Sequence, residues 1–290
     1  MSLYDFLIAP FMDYGFMRRA LVACLCLALG AAPIGTFLSM RRMSLMGDAL
    51  SHAVLPGAAI GYLVAGSLSL TAMGIGGLIA GLSVALLAGV VSRMTVLQED
   101  ASFASFYLIS LAVGVLIVSL RGSNIDLLHV LFGTILAIDT DALVLIGVIT
   151  SLTLLTLALL YRPLVIDCFD PGFLRAVGGR GALIHALFML MVVLNLVASF
   201  QALGTLMAVG LMMLPAAIAQ LWARTLPMML AISVATALVS GYGGLIASYH
   251  LELASGPTII VAAAILYAAS LLVAPSGLMS RFIRRPHLAN

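Results

Sequence analysis

The sequence contains no lysine: all thirteen basic residues are arginine. A P-loop needs lysine to reach nucleotide phosphates, and Schiff-base chemistry needs a lysine amine, so both are excluded. Charge of either sign is scarce. Only 8% of the 290 residues are charged, against roughly 25% in a soluble domain. Cysteine is scarce as well: Cys24, Cys26 and Cys168 form no disulfide framework and no zinc-type pairing. Cys24 and Cys26 fall in an apolar run and read as packing residues. The stretch MSLYDFLIAPFMDYGFMRRA has no basic segment ahead of an apolar one. It does not read as a cleavable signal, and the first apolar run is expected to direct insertion.

What the sequence has is apolar residues, 63% of the total. No soluble core absorbs that much, so the class is a polytopic membrane protein. At about 20 residues per crossing, nine segments qualify: 20–40, 49–66, 70–92, 103–120, 141–160, 182–200, 203–221, 228–247 and 257–274. Only helices or closed barrels satisfy backbone groups in lipid, and runs this long are helices. The expected fold is all-α, one membrane domain over 1–290, with eight spans as the alternative to nine.

Arginine placement sets the orientation. With a cytoplasmic C-terminus, Arg41, Arg42, Arg93, Arg162, Arg175, Arg180, Arg224, Arg281, Arg284 and Arg285 lie inside, against Arg18, Arg19 and Arg121 outside. The inverted arrangement reverses this ratio. The expected location is a membrane crossed several times, with lipid as solvent and no nucleic-acid partner.

The stretch MSLMGDALSHAVLPG, residues 43–57, places Asp48, His52 and Pro56 at four-residue spacing in an otherwise apolar region. Ionisable groups within a span are costly and mark function. Residues four apart share a helix face, so Asp48 and His52 can approach one ion together. A carboxylate and an imidazole suit zinc, manganese or iron. Pro56 has no N–H for the His52 carbonyl, which becomes a third acceptor. Spacing alone leaves a second reading open, an Asp–His hydrogen bond that fixes packing. On the adjacent stripe Ala49, Ala53, Gly57 and Gly61 form a small-residue face for close helix packing.

Other candidates are weaker. His250 and Glu252 stand two apart in SYHLELASGP, at the outer end of the eighth span. A shared site with Asp48 would need an inward-dipping segment. His129 lies in an outer connection, His185 reads as an interfacial histidine, and Met207, Met212 and Met213 read as packing. The longest inner connection, YRPLVIDCFDPGFLRAVGGRG at 161–181, mixes charge with Phe169, Phe173 and Leu174. Pro171 can open a short helix there with Asp170 as N-cap, giving a docking surface or an interfacial helix.

RRMSLMGDALSHAVLPGAAIG resembles the signature of permease subunits of bacterial ABC importers for zinc, manganese and iron. The similarity continues through Gln98-Glu99-Asp100-Ala101-Ser102, NIDLLHVLFG, CFDPGFLRAVG, GTLMAVGLMMLPAAIA and LASGPTIIV, in order along the chain. The resemblance implies a type II importer-like permease in a bacterial inner membrane and a homodimer around a central path, with the small-residue face of Ala49, Ala53, Gly57 and Gly61 expected beside the second subunit. It also implies a cytoplasmic ATPase on each subunit and an extracytoplasmic metal-binding protein. The ion, zinc first and then manganese or iron, is cargo, and no cofactor is bound permanently. Asp48 and His52 would be ion contacts. Asp167, Phe169, Asp170, Phe173, Leu174, Arg175 and Gly178 would form the segment seated in the ATPase. There are two departures: the late LDLPSG-like block has Glu252 and Ala254 in this chain, and arginine replaces lysine throughout. Lacking lysine, the chain is no ATPase itself, so nucleotide chemistry falls to the partner.

Two rival classes are weighed. A secondary metal/proton transporter would often show two related halves, and no internal repeat is visible. An intramembrane aspartyl protease would need glycine where Leu45 stands in LMGD, and a second aspartate that only Asp5 could supply. A rhomboid-like serine protease would need a Gly-x-Ser nucleophile and histidine base that are not seen.

Overall fold

A computed structural model describes residues 3–66, 70–121, 135–176 and 181–279. Two short helices, α1 (Leu3–Leu7) and α2 (Ala9–Asp13), precede α3 (Gly15–Met40), α4 (Ser44–Ala65), α5 (Leu70–Met94) and α6 (Glu99–Arg121). A 3₁₀ turn at Ile135–Ala137 leads to α7 (Thr140–Phe169) and the short α8 (Pro171–Ala176). The described chain ends with α9 (Gly181–Leu203), α10 (Thr205–Trp222), α11 (Leu226–Leu251) and α12 (Ser255–Val273).

Among the described residues, eight helices are long and apolar enough to cross a membrane. The seventh expected segment, 203–221, is α10, 18 residues long, with the apolar stretch Ala208–Trp222 within it. The fold is therefore all-α and polytopic, as the apolar runs require. Two boundaries differ from expectation. Helix α4 begins at Ser44, so Asp48 lies within its second turn and not ahead of it. Helix α7 does not stop near 160 but continues through Pro163 to Phe169. At 1.5 Å per residue, its 30 residues span about 45 Å against a hydrocarbon core of about 30 Å. Its last turns therefore stand clear of the apolar layer.

Helix α3 is the centre of the molecule. It packs against α7, α9, α10 and α11, and 72% of its apolar window is buried. One buried cluster surrounds its C-terminal half, with Phe37, Leu38, Met46, Leu50, Phe103 and Phe188. A second surrounds its N-terminal half, with Met17, Leu27, Ile146, Leu245 and Ile259. Between helices, buried Asn195 of α9 donates to Thr153 Oγ1 of α7 at 2.7 Å and to the Met191 carbonyl at 2.9 Å. Thr150 of α7 donates to the Cys26 carbonyl of α3 at 3.0 Å. With no water to compete in the apolar layer, these bonds fix how α7 and α9 meet α3.

The chain leaves α3 through a tight turn in which Arg42 takes a left-handed conformation, φ 60°. Arg42 N–H donates to the Ser39 carbonyl and Met43 N–H to the Leu38 carbonyl. These bonds satisfy carbonyls that the helix end leaves open. The turn sends α4 away from α3 to pack chiefly on α5 and α6.

Candidate functional site

Asp48 and His52 project from one face of α4, with His52 Nε2 at 3.7 Å from Asp48 Oδ1. That is longer than a direct hydrogen bond. With ligand distances near about 2.1 Å, as for zinc, two donors on one ion stand about 3 to 3.5 Å apart. The pair needs only a small rotation to share an ion. Its side chains are 57% exposed for Asp48 and 27% for His52, so an open side remains for further donors. Pro56 sits within α4 and is buried, and the His52 carbonyl four residues before it lacks its helical N–H.

Helix α6 forms the other wall. The Tyr107 ring stacks on the His52 imidazole, with centroids 6.1 Å apart and planes 28° from parallel. Asp48, Met46, Asp100, Phe103 and Tyr107 line a shared cleft of about 160 Å³. Ser102 Oγ donates to the Ala88 carbonyl of α5 at 2.9 Å, and Ser110 Oγ to the Ala53 carbonyl of α4 at 3.4 Å. These bonds seat α6 on its neighbours. Asp100 and Tyr107 are site-lining residues that the sequence reading missed. The signal was present in principle, because 100, 103, 104 and 107 follow the spacing of one helix face.

The small stripe does pack a helix, but within the chain. Ala49, Ala53, Gly57 and Gly61 are all buried. A Cβ added at Gly57 would run into the Gly76 carbonyl, and one at Gly61 into the Ala72 carbonyl, both on α5. The expectation of a seam with a second subunit is corrected here: the close approach is spent on α5.

His250 and Glu252 are not brought to Asp48 and His52 within the chain. His250 stacks on Phe6 at 4.2 Å, and its Nε2 lies 3.0 Å from the Phe6 carbonyl. Tyr242 of the same helix donates to the Leu7 carbonyl at 2.9 Å. These contacts place the end of α11 beside the start of α3, whereas Asp48 follows the end of α3. The 26 residues of α3 separate the two by about 39 Å at 1.5 Å per residue. Glu252 is the C-cap of α11 in a left-handed conformation, φ 53°. Of the remaining candidates, Met212 is buried against Gly35 and Gly47, which is packing. Cys24 is buried too. His129 lies outside the described residues, and so does Gly178.

The 161–181 segment resolves into two parts. Asp170 Oδ1 accepts from Phe173 N–H at 2.8 Å, capping α8 as its position before Pro171 predicts. Phe169 and Phe173 are exposed at 71% and 54%, while Leu174 is buried and roots α8 in the core. Asp167 turns inward: Arg41 Nη2 reaches its Oδ2 at 2.5 Å, and both side chains are largely buried. Asp167 therefore belongs to the root of α8 and not to its exposed face. Arg175 lies on α8 itself.

Comparison with known proteins agrees with this architecture. The family model described as ABC 3 transport family matches residues 13–274. The manganese transport system membrane protein MntC of Halalkalibacterium halodurans is 36% identical, over 98% of this chain and 96% of its own length. The manganese import system permease protein ScaB of Streptococcus parasanguinis is 33% identical, over 93% and 96%. The solved structure of PsaBC from Streptococcus pneumoniae in complex with Fab superposes with a TM-score of 0.83. It is 29% identical, over 98% of this chain and all of that one. Matched over most of its length by both family model and relatives, the chain belongs to the ABC 3 transport family, as a membrane-embedded permease subunit and not itself an enzyme.

Proposed function

We propose that this permease carries divalent first-row metal ions, manganese first, from the extracytoplasmic side to the cytoplasm, driven by a separate ATPase. The observation that carries the reading is the Asp48–His52 pair, two donors on one helix face at 3.7 Å, with Asp48 lining a cleft shared with α6. The sequence puts zinc first. The relatives named above favour manganese, and a donor set of carboxylate, freed carbonyl and one imidazole is mostly oxygen, which suits manganese.

In this reading α8 lies on the cytoplasmic side, and Phe169 and Phe173 are its contacts with the ATPase. The C-terminus lies on that side too, as the arginine distribution requires. A metal-binding protein delivers the ion at the opposite end. A second copy of the chain supplies the facing donors, because two side chains and a carbonyl leave the coordination of a divalent ion unfilled. An incomplete site on each subunit holds an ion loosely enough to release it.

The test is uptake of radioactive manganese and zinc into cells with and without the partner ATPase, each challenged by the other ion unlabelled. Uptake that needs the ATPase and is competed best by manganese is the expected result. Uptake that persists without the ATPase and collapses with the proton gradient would replace this reading with a secondary transporter.

A further inference from the structure

Arg41 lies where three functional segments meet. It caps α3, three residues before Ser44 opens the helix that bears Asp48 and His52. Its guanidinium is divided among both flanks of α8. On the preceding flank, Nη2 bonds Asp167 Oδ2 at 2.5 Å and Nε donates to Cys168 Sγ at 3.5 Å. On the following flank, Nη1 lies 3.5 Å from His185 Nδ1, and Cζ sits 4.5 Å over the Phe188 ring. The Arg41 and Asp167 side chains are only 7% and 13% exposed. A planar fork with several donors can hold such a set at once, and a lysine ammonium cannot.

A buried ion pair is a poor means of stabilising a fold, since apolar residues of similar volume often serve as well or better. Its position therefore asks for another explanation. We propose that Arg41 is a positioning residue that ties the ATPase-docking helix α8 to the ion-bearing helix α4. Movement of α8 reaches Asp167 and Cys168 through the end of α7, and His185 and Phe188 through the start of α9. Arg41 gathers both displacements and passes them through the short 41–43 turn to α4. This inference rests on the importer reading above.

The test uses the full complex with its ATPase in proteoliposomes, scoring manganese moved per ATP hydrolysed, normalised to assembled complex. Arg41→Gln and Asp167→Asn are expected to assemble and hydrolyse ATP, yet to lower that ratio about fivefold or more, as for a broken coupling. The double variant should be no worse than either single one, because both cut one link. Arg41→Lys, which keeps the charge and loses the fork, should fall between. An unchanged ratio in Arg41→Gln or Asp167→Asn would overturn the proposal. So would failure of every variant to assemble, which would make Arg41 a structural residue only. A parent complex that moves no metal with ATP would instead refute the importer reading, and the link with it.

Discussion

Pro56 of α4 and Gly114 of α6 meet so closely that a Cβ on Gly114 would lie 2.5 Å from the proline ring. The residue that frees the His52 carbonyl thus also sets how near α6 comes. The same helix carries Tyr107 onto His52. Gly114→Leu should push α6 outward, at an overpacking cost of about 1–3 kcal/mol, and separate the two rings. The expected outcome is an inserted protein with a lower unfolding temperature and strongly reduced manganese uptake. Uptake at the parent level would show that the site tolerates displacement of α6.

Removing either donor of the pair should weaken the ion without disturbing the fold, because both side chains face the open side of α4. Asp48→Asn and His52→Ala are each expected to reduce apparent affinity about ten- to hundredfold, or about 1.4–2.8 kcal/mol. Amounts in the membrane and association with the ATPase should stay unchanged. Concentration-dependent uptake checks this, and parent-level affinity in the double variant would remove the ion station from α4.

Phe173 and Leu174 are neighbours with opposite environments, one exposed and one buried. Phe173→Glu should leave a folded permease that no longer co-purifies with its ATPase. An aromatic anchor at an interface is worth about 2 kcal/mol or more, or roughly 30-fold in affinity. Leu174→Glu should instead reduce the amount of folded protein, since it buries an unpaired charge. Equal ATPase binding by parent and Phe173→Glu would move the docking face elsewhere.

His250 holds the amino-terminal segment through the Phe6 ring and carbonyl. His250→Ala should lose the Phe6 stack, worth about 0.5–1.5 kcal/mol, and make residues before Gly15 more accessible to protease. Metal uptake should remain within about twofold, measured side by side with His52→Ala. A loss as deep as that of His52→Ala would return His250 to the ion path.

These outcomes mark what the sequence could and could not disclose. Helices and the Asp48–His52 face were legible because each depends on residues within a few turns of one another. The Asp170 cap of α8 was legible for the same reason, as a polar residue just ahead of a proline. What escaped was every relationship between distant segments. Arg41 and Asp167 lie 126 residues apart, and Phe6 and His250 lie 244 apart. No residue of either pair carries a local signal of its partner. The small stripe on α4 announced a close contact, but only the fold could tell that α5 fills it. Tyr107 looked like one more aromatic in an apolar run until α6 was placed against α4.

Helices α3 and α6 contribute very unequally to the interior: 72% of the apolar window is buried in the first and only 17% in the second. The helix that holds an aromatic ring against His52 is thus among the least buried within the chain. The whole helix, Glu99–Arg121, has 23 residues and runs about 35 Å at 1.5 Å per residue, slightly longer than an average bilayer core. A thinner bilayer favours tilting of such a helix, and in this molecule such a tilt is transmitted to the wall of the cleft. Acyl-chain length in the host membrane thereby becomes a variable of the site itself, and permeases reconstituted in short-chain and long-chain lipids should differ in apparent metal affinity.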